Sequence, residues 1–207
     1  MKSKNIHIIV QARSESTRMK NKLLRKIKNK SIVKIIYERL IKVKLADKII
    51  FAIPKNKFNA NLKKLIRSAG AKYIFQGNND DVLSRYFETA NYFKSDIIIR
   101  ITADCPFLDP NIISEMLKLF LKSKLDYLSN VLEPTFPDGY DVEIFNFESL
   151  RFAHLNAKTK FHREHVTPFL ISNKKIKKQN YDYKENLSSL RLTLDEEIDL
   201  IQLRKIF

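Results

Sequence analysis

Apolar residues in this chain fall into short β-branched runs that alternate with longer stretches of helical spacing. The first run, Ile6 to Val10 (IHIIV), is too short for a helix and ends at a polar loop, which predicts a buried strand. Ser31 to Lys44 carries apolar residues at 32, 33, 35, 36, 40, 41 and 43, the spacing of a helix with Ser31 as its N-cap. Lys48 to Ile53 reads as a second strand stopped by Pro54. Asn59 to Ser68 reads as a helix ended by Gly70, and Tyr73 to Phe75 as a short third strand. Asn79 or Asp80 is expected to cap a helix running to about Phe93. Asp96 to Ile101 (DIIIRI) is as apolar as a central parallel strand should be. Asp109 and Pro110 open the next helix, at the N-cap and the first helical position, and Asp126 to Ser129 is a fifth strand. This alternation predicts an α/β fold, a mostly parallel sheet with helices on both faces.

After Asn130 the texture changes. VLEPTFPDGYDVEIFNF holds two prolines and a glycine before an alternating strand, Tyr140 to Phe147. Helices are expected over Phe147 to Asn156 and Arg163 to Ser172, an edge strand over Ile176 to Tyr183, a short last strand over Arg191 to Leu194, and a terminal helix from Glu196 to Phe207. The 207 residues read as one domain, with 131–190 as an insertion that covers the open end of the sheet.

Composition narrows the class. No apolar run approaches the ~18 residues that suggest a membrane span, and Ile6 to Val10 is too short for a signal-peptide core. The single cysteine, Cys105, cannot form an intramolecular disulfide, which fits a reducing cytoplasm. The net charge of +16 admits a nucleic-acid or membrane-surface binder. The excess is mostly scattered lysine without interleaved aromatics, however, so solvated helix faces account for it, and nucleic acid is not the expected partner. Such a field also draws small anionic substrates.

One stretch is nevertheless locally dense in positive charge. From Gln11 to Lys30 there are eight Lys or Arg residues and one acid, Glu15. A cationic loop at the carboxyl end of a first strand is where open α/β sheets bind phosphorylated ligands. The three glycines, Gly70, Gly77 and Gly139, all lie elsewhere, which excludes a Walker loop and a dinucleotide fingerprint. Phosphate would be held by Arg13, Arg18 and Lys22, helped by the hydroxyls of Ser14, Ser16 and Thr17. A solvated basic loop would have the same composition.

Four further segments could carry chemistry. In Arg100–Pro106 the strand delivers Asp104 to the sheet edge, where a carboxylate can hold Mg²⁺ bridging nucleotide phosphates or merely cap a loop. Cys105 beside it reads as a packing residue. Asp195 either caps the terminal helix or is a second metal ligand. Asp141 and Glu143 share a strand face by period two, for substrate hydroxyls or for solvent. His162 to Pro168 places Arg163 and His165 at a helix start suited to a carboxylate or phosphate. It lacks zinc-ligand spacing.

Together, IVQARSESTRMKNKLL, FQGNNDDVLSRY, IIIRITADCPFLDP, YLSNVLEPTFPDGYDVEIF, REHVTPF and RLTLDEEIDL resemble the cytidylyltransferases of spore-coat polysaccharide and flagellin modification. Those are relatives of the enzymes that activate acylneuraminic acids and 3-deoxy-manno-octulosonate as CMP-sugars. The resemblance covers nearly the whole chain in order. It implies a Rossmann-like three-layer α/β/α fold and a CTP- and Mg²⁺-dependent reaction. By the same resemblance Gln11, Arg13, Arg18 and Lys22, with Arg100, bind the nucleotide, Asp104 binds metal, and Asp195 stands at the second metal-binding carboxylate. Asp138, Asp141, Glu143, Arg163 and His165 would line an acceptor pocket for a sugar acid, and a homodimer is an expected assembly. Three positions depart from the family pattern. Glu15 replaces a glycine, Lys20-Asn21 a Pro-Gly, and Ser84 an aspartate.

Rival readings remain at this stage. A glycosyltransferase of related fold should carry an Asp-x-Asp pair after the central strand, and Asp104 has no aspartate at 102 or 106. A basic RNA- or membrane-binding module, or a relative that binds nucleotide without turnover, would also fit parts of the chain.

Overall fold

The computed structural model describes residues 4–14 and 18–206. Glu15, Ser16 and Thr17 therefore lie outside the described residues. In chain order the elements are β1 (Ile6–Gln11), a 3₁₀ turn (Lys22–Leu24), β2 (Lys26–Ile27), β3 (Lys30–Ser31), α1 (Ile32–Leu40), β4 (Lys48–Pro54), a 3₁₀ turn (Lys57–Asn59), α2 (Ala60–Ser68), β5 (Tyr73–Gly77), α3 (Val82–Phe93), β6 (Ile97–Thr102), α4 (Pro110–Lys122), β7 (Tyr127–Ser129), β8 (Glu143–Asn146), α5 (Phe147–Asn156), α6 (Lys160–His165), α7 (Pro168–Ser172), β9 (Lys178–Asn180) and α8 (Glu197–Ile206).

Seven strands form one sheet in the order β5-β4-β1-β6-β8-β7-β9. Pairing is parallel from β5 through β6 and between β7 and β9, and antiparallel on both sides of β8. The apolar runs of β1 and β6 are buried on both faces, as strands between two helical layers must be. Ile8 and Val10 of β1 and Ile97, Ile99 and Ile101 of β6 join the core under α1, α2, α4 and α8. Ile9 and Ile98, one residue out of phase, join the core under α3, α5 and α7.

The chain runs from β1 outward through β4 and β5, then returns to place β6 on the other side of β1. That is a topological switch point, where neighbouring loops diverge and leave a crevice. Gln11 pairs with Thr102, so the two strands end level. The Tyr86 hydroxyl donates to the carbonyls of Ile9 and Ile101 and ties α3 beneath the crevice.

Several boundaries differ from expectation. Helix α1 stops at Leu40, not Lys44. The cap of α3 is Asp81, whose carboxylate accepts from the Ser84 amide, not Asn79 or Asp80. The expected helix from Arg163 to Ser172 is two helices, broken at Val166 (φ 73°) ahead of Pro168, which has no amide hydrogen to continue the first. The strand expected over Tyr140 to Phe147 is Glu143–Asn146, and that over Arg191 to Leu194 is a single parallel bridge, Asp138 to Arg191. A small hairpin, β2–β3, turns through Lys28 and Asn29, both at positive φ, inside the basic loop. Residues 131–190 supply the interior strand β8 and the helices α5 to α7. Among the described residues no helix is long and apolar enough to cross a membrane.

Candidate active site

The basic loop meets the ends of β1 and β6 in a cavity of about 140 Å³ lined by Gln11, Arg13, Arg18, Lys22, Thr102, Asp104 and Asp195. Six of the seven residues expected to bind nucleotide or metal therefore converge, although 90 residues lie between Asp104 and Asp195 in the chain. Arg100 is the one that lies elsewhere.

Lys22 is the hub. Its ammonium lies 3.2 Å from Asp104 Oδ2, 3.1 Å from Asp195 Oδ1 and 3.0 Å from the Leu194 carbonyl. Arg18 Nη2 lies 3.0 Å from the same Asp195 oxygen. Burial alone would raise the Asp104 carboxyl; Lys22 and the Thr102 hydroxyl outweigh it and hold the group below the ordinary carboxylate range. Burial and the neighbouring Asp104 push the Cys105 thiol well up, which agrees with packing rather than nucleophilic chemistry.

Asp195 does not use its carboxylate as a helix cap. The amides of Asp195 and Glu196 are taken by Asp199 Oδ2 at 2.8 and 2.9 Å. Arg191 grips Asp199 through two nitrogens and also reaches Asp138 at 3.0 Å and Asp195 at 3.7 Å. Gly139 makes this crossing possible. It sits at φ +104°, and a Cβ there would come within 2.6 Å of the backbone at Leu192 and Thr193. On the other side of the loop, buried Asn59 accepts from the Ser14 amide. The Ser14 hydroxyl donates inward to Phe58 and Asn59, so it is not aimed at the cavity. Sequence reading missed Asn59, Arg191 and Asp199, because only the tertiary fold shows which loops they hold.

A second cavity, about 310 Å³, shares Thr102 with the first. Arg100, Asp141, Glu143 and His165 line it, with Phe161 and Ile171 as apolar walls. Arg100 pairs with Glu143, which also accepts from the Tyr127 hydroxyl, and Arg100 Nη2 reaches Gln11 Oε1 at 3.4 Å. A third cavity, about 360 Å³, shares Val131 and Asp141 with the second and reaches Asp138. Asp141 thus stands where the two meet. Burial raises its carboxyl to about 6, with Asp138, Glu143 and Asp104 adding to the effect against one weak amide bond from Gly139. Arg163 is placed differently. It pairs with Asp81 and donates to the His154 carbonyl, tying α6 to the start of α3.

A family model described as cytidylyltransferase matches residues 7–206. The chain belongs to that family. A protein of Methanocaldococcus jannaschii, MJ1063, is 36% identical over 96% of this chain and 83% of its own length. The spore coat polysaccharide biosynthesis protein SpsF of Bacillus subtilis is 24% identical over 98% of this chain and 86% of its own. Among solved structures, a cytidylyltransferase from Leptospira borgpetersenii superposes with a TM-score of 0.94 at 28% identity, covering 99% of this chain and 88% of that one. The cytidylyltransferase described here is therefore a CTP-dependent nucleotidyltransferase with a Rossmann-like sheet, as the motifs implied.

The site suits a divalent cation. Asp104 and Asp195 both present an oxygen within 3.2 Å of one point, now held by Lys22 Nζ. Among the described residues no cluster of three His, Cys, Asp or Glu side chains converges. Two carboxylates completed by substrate phosphates and water is the donor set Mg²⁺ takes in nucleotide sites.

Proposed function

We propose that this cytidylyltransferase moves CMP from CTP to a hydroxyl of a sugar acid, the anomeric one if the acceptor is a 2-keto acid, releasing pyrophosphate. The observation that carries the reading is the convergence of Lys22, Asp104 and Asp195 at the β1/β6 switch, with an acid-lined trough opening from the same edge. The resemblance to enzymes that activate acylneuraminic acids and 3-deoxy-manno-octulosonate supports the acceptor class.

Arg13, Arg18 and Lys22 hold the β- and γ-phosphates and stabilise the departing pyrophosphate. Gln11, fixed by Arg100, orients the base or ribose. Asp104 and Asp195 would hold a divalent cation, Mg²⁺ by the resemblance, which supplies charge neutralisation at the phosphoryl oxygens. In the trough Asp141 and His165 meet the acceptor, and Glu143, held by Arg100 and Tyr127, backs the wall between them. Asp138 shapes the far lobe from its pairing with Arg191, while Arg163 positions α6, and with it His165, through Asp81. The acceptor oxygen forms its bond to the α-phosphorus as the bond to pyrophosphate breaks in line, and the hydroxyl proton passes to water.

The test is incubation with Mg²⁺, labelled CTP and a panel of sugar acids, reading CMP-sugar and pyrophosphate. No product from any acceptor would reject the sugar-acid assignment. Asp104→Ala should abolish turnover with native circular dichroism but a lower melting temperature, since it takes a carboxylate from the mostly buried Lys22 ammonium. An unchanged rate would remove Asp104 from the mechanism.

A further inference from the structure

The three hydrogens of the Lys22 ammonium are fully spent. One goes to Asp104, one to Asp195 and one to the Leu194 carbonyl. The side chains are 12% exposed for Lys22, 15% for Asp195 and 32% for Asp104, so solvent screens the Asp195 contact poorly and reaches Asp104 more readily. In this seat Lys22 has no hydrogen to offer a phosphate. It also occupies the point on which both metal-binding oxygens converge. A dication and Lys22 are therefore alternative partners for one pair of carboxylates.

We propose that Lys22 is a stand-in cation that makes metal capture by Asp104 and Asp195 conditional on nucleotide. The inference rests on the reading of those two aspartates as metal ligands and goes beyond it. A strongly hydrated dication gains little from two carboxylates whose charge the Lys22 ammonium and the Arg18 guanidinium already offset. A triphosphate changes the balance twice over. Its oxygens attract Lys22 away from the aspartates, and they supply the donors that the protein lacks. Arg18 turns to the phosphates with Lys22, while Arg191 stays near the other Asp195 oxygen and keeps the carboxylate aimed during the exchange. The enzyme is then loaded by the metal–nucleotide complex, and free metal does not lock the site in advance. Lys22 so has two successive partners, carboxylates before loading and phosphates after it.

The experiment is Mn²⁺ titration without nucleotide, read by the electron spin resonance of the free ion, for wild type, Lys22→Met and Lys22→Gln. Wild type should not saturate in the millimolar range, and both variants should bind at least about tenfold tighter, since removing the ammonium takes the Lys22 partner from Asp104 and leaves Asp195 with its arginines alone. Adding Asp104→Asn to Lys22→Met should return binding to the wild-type level. CTP should restore Mn²⁺ uptake in wild type beyond that of CTP alone. The proposal is overturned if both Lys22 variants, with native circular dichroism and melting, bind Mn²⁺ no tighter than wild type. It is overturned equally if wild type alone binds Mn²⁺ as tightly with nucleotide as without it, a measurement that needs no variant. If CTP-dependent Mn²⁺ uptake survives Asp104→Asn, the metal-ligand reading itself fails. None of these readouts uses an acceptor, so a wrong sugar assignment leaves them intact.

Discussion

At the scale of single residues, the site is built from groups whose charge is set by a neighbour rather than by their own type. Asp104 is kept ionised by Lys22 and Thr102 against its burial. Asp141 has no such cation, and burial holds its carboxyl at about 6 instead of 3.8. A raised acid pKa favours the folded state while the group is protonated. That contribution is fully present below about 3.8 and is lost as pH rises through 6, so at neutral pH the ionised Asp141 is a cost to the fold. Asp141→Asn should therefore melt about 2–6 °C higher than wild type at pH 7.5, with little gain at pH 4, and should raise the KM for acceptor. Equal gains at both pH values in calorimetry would contradict the charge argument. Departures from the family pattern also resolve at this scale. Ser84, where the family has an aspartate, donates to Glu88 on its own helix and faces no cavity described above.

At the scale of elements, the loop through Asp138 to Asp141 and the loop through Arg191 to Asp195 are one unit. The segment through Gly139 crosses the 191–193 backbone, and Arg191 bolts Asp138, Asp195 and Asp199 to each other. Gly139→Ala must move backbone, not a flexible side chain, and its φ is strained for any L residue. It should lower the melting temperature by at least about 4 °C and cut kcat/KM more than a remote variant of equal stability does. A stable, fully active Gly139→Ala would show that the two loops do not need to touch. The parallel half of the sheet, by contrast, is ordinary packing. Alternate residues of β1 and β6 feed two helical layers, and the catalytic loops are only as rigid as those strands.

At the scale of the whole molecule, charge and acid stability can be read together. His7 is buried in β1, its Nδ1 2.7 Å from Ser95 Oγ, and burial with nearby Lys48 lowers its pKa from 6.5 to about 4. A depressed folded value means the unfolded chain takes up the proton first. Stability from this group is present above about 6.5 and is lost as pH falls towards 4. Urea midpoints should decline across that window, and the decline should be smaller in His7→Gln. The net charge of +16 should steer CTP to the site, so kcat/KM for CTP should fall several-fold between low and high ionic strength. RNA should show no mobility shift at physiological salt. A persistent, steeply salt-dependent RNA complex would instead favour the basic-module reading.

The residue pattern by itself determined the architecture, because β-branched runs buried on two faces and amphipathic helices between them have few other ways to cover their apolar surface. Its motifs, taken in order, also pointed to the cytidylyltransferase family, although the cationic loop and the aspartate after the central strand, read alone, fitted a solvated loop and a loop cap as well. What it could not determine were the long-range pairings. Lys22 bridges Asp104 and Asp195, Glu143 is consumed by Arg100 and Tyr127, and Arg163 turns to Asp81. It equally left open that residues 191–194 form one bridge and no strand, or that Arg191 and Asp199 clamp the second aspartate. Local periodicity reports which face of an element is buried. Which polar group meets which from another element depends on where loops cross, and only the tertiary structure decides that.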